Sequence, residues 1–227
     1  MGFRGTRSIA CMLACAATVA ACTIVYDDDK KKDAPDPRSS AGPSPQPRGF
    51  NAVAWVESVW TSRVLPHFEK DAVPLGEVLA ALEVDRDAAG QKYGRRADAE
   101  GSPWSFAVKG AGSVVSVHTE SRAGTMVIAV PAGSRTEQVT LQIGPVVRGT
   151  AIRDNLPFLS FGDVTNQIEF AQLSRALNDR AMAGIRPGLD ALAKPGARVI
   201  FGGAMNVSAS GEDSFLITPL VLARGGN

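Results

Sequence analysis

The densest run of side chains able to bind ligands or move protons is residues 144–172, GPVVRGTAIRDNLPFLSFGDVTNQIEFAQ. It sets Arg148, Arg153, Asp154, Asn155, Asp163, Asn166, Gln167 and Glu169 among apolar neighbours, and Thr150 and Ser160 add hydroxyls. A guanidinium offers a planar fork of donors to carboxylates and hydroxyls, and carboxamides and carboxylates grip hydroxyls at two points. A small polar solute such as a carbohydrate suits this segment. The candidate ligand or partner site is Arg148, Thr150, Arg153, Asp154, Asn166, Gln167 and Glu169. The same residue types also fasten a connection. Arg148 or Arg153 paired with Asp154 or Glu169 would tie a strand to the following helix, with Asn166 and Gln167 satisfying loose backbone groups. The one acid pair to nominate for glycoside hydrolysis is Asp154 with Glu169, but their spacing in sequence does not fix their separation. No catalytic residue is assigned, and the chain is read as a non-enzyme.

Other chemistries find little material. There is no G-x-S-x-G elbow for a serine nucleophile and no G-x-x-x-x-G-K-[ST] phosphate loop. His67 and His118 lack a neighbouring ligand pattern and read as surface or capping residues, so no metal and no cofactor is expected. Trp55, Trp60 and Trp104 read as packing residues, although any of them has a ring to stack on a sugar. Lys and Arg number 24 and Asp and Glu 23, a balance that argues against a nucleic-acid partner.

Cys22 carries the clearest chemical signal. Arg4 and Arg7 precede an apolar run at residues 9–19, which ends in Val19-Ala20-Ala21-Cys22. The run is too short for a bilayer span but fits the core of a signal peptide. Its last four residues resemble the bacterial lipobox, whose Cys thiol receives diacylglycerol. Residues 1–21 are therefore expected to be a lipoprotein signal peptide, and Cys22 the site of lipidation by palmitate-type acyl chains. Cleavage removes Cys11 and Cys15 and leaves no free thiol for a disulfide. Each buried lipid methylene contributes about 0.8 kcal/mol to anchoring. The expected location is the bacterial cell envelope, on a membrane and facing the periplasm; the choice between inner and outer membrane stays open. Residues 22–48 read as a disordered, partly extended tether, because from Asp27 on they contain DDDKKK and five prolines with almost no apolar side chains.

The elements that must position these residues follow from hydrophobic period. Residues 49–103 read as a helical segment. Val53, Val56, Val59, Trp60 and Val64 fall on one helical face that Pro66 ends or restricts. A second helix is expected from near Asp71, with Pro74 in its first turn and Leu75, Val78, Leu79 and Leu82 inward. The next stretch, with Lys92, Arg95 and Arg96, reads as solvated and weakly ordered. Residues 104–227 then turn to period two. A first strand over 106–118 carries Gly110 and Gly112, where it would bend. A second covers 125–130, and Pro131 to Ser134 reads as a loop. A third, through Val139, Leu141 and Ile143, is expected to continue past Pro145 through Val147 and Ala151. A helix capped by Asp163 follows, with Gly188 and Pro195-Gly196 punctuating its exit, and then strands over 198–207 and 215–222 with Pro219 at an edge or bulge. The fold class is mainly β with helices. The order β-β-β-α-β-β predicts an OB-like five-stranded barrel preceded by the helical segment, with an open sheet covered by a helix as the alternative.

Several phrases resemble a known family. They are GSPWSFAVKGAGSVVSV, LQIGPVVRGTAIRD, FGDVTNQIEFAQLSRALN and the late FGGA and ITPL. They are similar to those of a family of predicted periplasmic lipoproteins of unknown function. The resemblance runs from about Trp55 to the end, and it carries no established catalytic residues. Members are often encoded beside sugar ABC transporters of the ribose or polyol type. The resemblance therefore implies a lipid-anchored periplasmic accessory or binding protein of a sugar or polyol uptake system, whose partners are the membrane and transporter components or a small polar solute. Two other readings stand beside it: a carbohydrate-active hydrolase using Asp154 and Glu169, and a structural envelope module that binds other proteins.

Overall fold

The computed structural model describes residues 50–96, 101–208 and 215–226. The residues read as a signal peptide and a Pro-rich tether, with Cys22 between them, lie outside the described residues.

Asn51 starts the first helix, α1 (Ala52–Val59), by accepting a hydrogen bond from the Ala54 amide at 3.0 Å. Val56, Trp60, Val64 and Phe68 recur every fourth residue and are all buried. Pro66 does not end this helical stretch. The backbone widens into a π-turn over Trp60–Val64, in which the Leu65 amide bonds the Trp60 carbonyl, and α2 (Leu65–Asp71) resumes with Pro66 in its first turn. A proline inside a continuous helical run lacks the amide that would bond back, and the π-turn just before it widens the ladder enough to accommodate the ring. The next helix starts later than near Asp71. Val73 and Pro74 form a short strand, β1, that pairs in parallel with Val108 and Lys109, so α3 runs over Leu75–Val84. Its Leu75, Val78, Leu79 and Leu82 are buried, as the spacing predicts.

Residues 86–96 of the stretch expected to be weakly ordered are structured. Asp85 caps α4 (Arg86–Tyr93) through the Ala88 amide, and β2 (Gly94–Arg96) pairs with the start of β3 (Trp104–His118). Trp104 is the reason. Its ring lies flat on Gly90, where a Cβ would approach to 2.2 Å, and its indole N–H donates to Asp87 at 3.0 Å. Arg96 stacks on the same ring.

Five strands close a ring. They are β3, β4 (Thr125–Ala132), β5 (Arg135–Gln142), β6 (Arg198–Val207) and β7 (Leu216–Arg224), joined in the order β3-β4-β5-β7-β6 and back to β3. Closure depends on β3. It pairs with β6 from Trp104 to Ser113 and with β4 from Ser113 to His118, with a register shift between Val114 and Ser116. Gly112 sits at the changeover, where a Cβ would lie 2.3 Å from the Ala129 carbonyl oxygen. Pro131 and Ala132 belong to β4, not to a loop; the turn is Gly133, at φ +62, with Ser134. Pro219 stands at the irregularity between Gly202 and Gly203, so of the edge or bulge expected for it the structure has the bulge.

The third strand stops at Gln142 instead of reaching Ala151. The Gln142 carboxamide accepts from the Arg148 amide at 2.7 Å and donates to its carbonyl at 2.9 Å, which folds the intervening residues into a loop. Ala151 opens a short helix, α5 (Ala151–Asn155). Asp163 does not cap the long helix. It closes a 3-10 turn, Phe161–Asp163, and α6 (Gln167–Leu192) is capped by Asn166, which accepts from the Glu169 amide. Gly188 lies within α6, which ends just before Pro195.

Two cores result. The barrel interior holds Phe106, Met126, Ile128, Leu141, Met205 and Ile217, and α3 covers it with Leu75, Val78 and Leu79. The outer face of the barrel supplies Ala107, Ala204 and Leu220 to a second core. There the stripe of α1 and α2 meets Ile152, Leu156, Leu173 and Leu177 of the α5 and α6 region. The candidate site lies along this second layer.

Candidate functional site: a polar cleft beside α6

The seven residues singled out from the sequence do not form one cluster. Thr150 and Arg153 line a cleft of about 490 Å3 between the loop after β5 and the flank of α6. Asp154 lies beneath them. Its Oδ1 accepts from Nε and Nη2 of Arg153 at 2.9 and 2.6 Å, and its Oδ2 accepts from the Thr150 hydroxyl at 2.5 Å and the Asn206 carboxamide at 3.1 Å. The Arg153 guanidinium is stacked 3.8 Å above the Phe170 ring. This is the ion pair the sequence offered as a fastening, and it locks α5 to β6 and α6. Arg148 contributes its backbone to Gln142, while the residue is exposed.

Asn166, Gln167 and Glu169 stand apart from the cleft lining, at the start of α6. Asn166 is the cap, Gln167 is exposed, and Glu169 accepts from the Thr165 amide at 2.9 Å. Asp154 and Glu169 therefore each serve as hydrogen-bond acceptors for the fold, one in a buried network and the other at a helix terminus. Asp163 is of the same kind. The Ser160 amide, then the Ser160 hydroxyl, donate to its carboxylate and hold it below the usual Asp range.

The structure adds residues that sequence reasoning passed over. Arg122, Ser174, Arg175, Asn178 and Asp179 also line the cleft. Ser174 and Asn178 were legible in principle, as polar residues four apart on the face of α6 that carries buried Leu173, Leu177 and Ala181. The Asn178 carboxamide donates to the Gly149 carbonyl at 3.1 Å, where φ is +85. Arg122 gave no local signal, because it reaches the cleft from the turn before β4. Its carbonyl accepts from the Val146 amide. Arg175 faces Asp179 at 3.8 Å and Arg153 faces Asp154, whereas the Arg122 guanidinium forms no ion pair among the described residues. The cleft thus combines one uncompensated cation with hydroxyl and amide groups.

A second missed network ties the helical layer to the barrel. His67 is not a surface residue; only 7% of its side chain is exposed. Its Nε2 lies 2.8 Å from Asn155 Oδ1 and its Nδ1 2.8 Å from Asp71. The Asn155 carboxamide donates to the Ser105 carbonyl at 3.0 Å, and the Ser105 hydroxyl donates to the Ala151 carbonyl at 3.0 Å. Asn155 is 1% exposed and joins α2, α5 and β3.

Residues 12–223 match the model of a family described as "Predicted periplasmic lipoprotein (DUF2291)". Among solved structures, an OB-fold protein from Thermotoga maritima is similar at a TM-score of 0.62 and 16% identity, covering 78% of this chain and 100% of its own. That likeness concerns the fold, and it agrees with the closed ring of five strands. No curated protein matches the chain.

Proposed function

The chain belongs to the family of predicted periplasmic lipoproteins, and from that premise we propose that it is a non-enzymatic binding module whose cleft beside α6 takes a small polar solute. It is a protein of the bacterial envelope, lipid-anchored and facing the periplasm. The solute class we infer is a sugar or polyol, and the role is accessory to an ABC uptake system.

The observation that carries this reading is the cleft itself. Arg122 has no acidic partner there, and Thr150, Ser174 and Asn178 place oxygen and nitrogen atoms around the same volume of about 490 Å3. Such a cavity is in the range of small-molecule sites. Arg153 keeps a donor to spare, since its Nη1 makes only a long contact of 3.5 Å to the Phe170 carbonyl. Donors fixed by stacking and ion pairing lose little freedom on capturing a hydroxyl.

The test is a thermal-shift panel of pentoses, hexoses and polyols on the full-length lipidated protein. A ligand at about 100 times its Kd stabilises by about 2.7 kcal/mol, which for a domain of this size raises Tm by about 5–10 °C. Arg122→Ala should abolish the shift while leaving the ligand-free Tm in place. A flat panel, or a shift that survives Arg122→Ala, refutes binding in this cleft. Recovery of a permease or solute-binding component with wild-type protein, lost in Arg122→Ala, is the result expected of the accessory role.

A further inference from the structure

A second concavity, of about 500 Å3, lies between α2 and the outer surfaces of β3, β6 and β7. Leu65, Phe68, Ile200, Phe201, Leu220 and Val221 supply its apolar walls. Gly202 keeps it open: a Cβ there would meet no atom nearer than 3.9 Å. Ile200 and Val221 leave 43% and 47% of their surface in water, an arrangement that disfavours the unoccupied groove. Only two charged residues line it, Glu69 from α2 and Lys109 from β3. Neither forms an ion pair among the described residues, with each other or with anything else.

We propose that this groove takes one acyl chain of a zwitterionic phospholipid, with the headgroup phosphate on Lys109 and its ammonium on Glu69. The chemistry of the lining selects the occupant. Carbon surface without lining hydroxyls or carboxamides suits a hydrocarbon chain and offers a polar solute nothing beyond the charges of Glu69 and Lys109. One unpaired cation and one unpaired anion at the same groove match a headgroup that carries both charges. The supply is at hand, because members of this family are anchored at a bilayer. The inference stands on residues separate from the polar cleft and does not depend on what that cleft binds.

The experiment places the full-length lipidated protein in phosphatidylethanolamine vesicles containing a small fraction of the same lipid with a diazirine in one acyl chain. Irradiation and peptide mapping then locate the adducts. The expected result is adducts concentrated on residues 109–111 and 200–202. Gly202→Leu, which fills the groove, and Val221→Glu, which adds a carboxylate to its wall, should each lower that yield about fivefold at unchanged Tm. Lysophosphatidylethanolamines of increasing chain length should compete, each methylene strengthening competition about fourfold until the groove is full. Adducts equally frequent at Val53 and Val84, which are exposed outside the groove, overturn the proposal. Yields indifferent to both substitutions do the same. Equal yields from phosphatidylglycerol vesicles overturn the zwitterionic assignment.

Discussion

Alanine at Gly112 and alanine at Gly184 should move stability in opposite directions, although the chemical change is identical. Gly112 stands where β3 leaves β6 and joins β4. A Cβ there would sit 2.3 Å from the Ala129 carbonyl oxygen, 2.6 Å from Ile128 Cγ2 and 3.0 Å from Val130 Cγ1. Two of these neighbours are the side chains of a packed strand and one is its backbone, so β4 must move away by most of an ångström. Overpacking of this kind costs about 1–3 kcal/mol. Spreading the ladder at Ser113 and Ala129 weakens about two backbone hydrogen bonds, each worth about 1 kcal/mol. The expected loss is therefore about 3–5 kcal/mol. Gly184 is exposed on α6 with no atom within 4 Å of its Cβ position. Alanine there gains about 0.5–1 kcal/mol of helix propensity. Urea unfolding followed by the fluorescence of Trp55, Trp60 and Trp104 measures both. With a slope of about 2 kcal/mol/M, the midpoint should fall by about 1.5–2.5 M for Gly112→Ala and rise by about 0.3–0.5 M for Gly184→Ala. A Gly112→Ala midpoint within about 0.3 M of wild type would refute the claim that close approach at this residue closes the barrel.

The other predictions concern the polar networks and the anchor. Asn155→Ala removes the link between His67 and the Ser105 carbonyl from a site 1% exposed, and should cost about 2–4 kcal/mol in the same urea assay. Asp154→Asn breaks the Arg153 pair, whose side chains are 15% and 18% exposed; the loss should be about 2–3 kcal/mol, below that of a fully buried pair. Glu169→Gln, at the exposed start of α6, should cost less than about 1 kcal/mol. The lowered Asp163 carboxyl contributes stability above the ordinary Asp pKa, and that contribution is lost as pH falls through the lowered value. The Ser160 amide resonance should accordingly hold its position through the usual Asp range and shift only at more acidic pH; a transition centred near about pH 3.9 would contradict the capping geometry. Cys22→Ser should move the protein out of the carbonate-washed membrane fraction, and its retention there would contradict lipid attachment at that residue.

Some of the architecture was written in local order. Leu75, Val78, Leu79 and Leu82 follow helical spacing because one face must cover the barrel, and each is buried. Met126, Ile128 and Val130 alternate because one face of β4 is interior. The bend at Gly112 was legible because glycine is the residue that lets another backbone come close. Segments governed by a partner distant in sequence were misread. Residues 85–96 look polar and solvated until Trp104 lies across Gly90. Residues 143–150 look like more strand until Gln142 turns back on Arg148.

The same division runs through the functional residues. The leader motif ending in Cys22 is contiguous, so its reading rests on sequence alone; the strand order that yields a five-stranded barrel was legible there too, and the structure closes that ring. The polar run at 144–172 showed which groups were available but not which of them meet. Folding sends Asp154 into a network with Asn206, fifty-two residues away, leaves Asn166 and Glu169 to cap a helix, and brings Arg122 and Asn178 to the cleft in their place. A side chain's type is a local property; its partner depends on strand pairing and helix docking, which only the closed barrel and its outer layer decide.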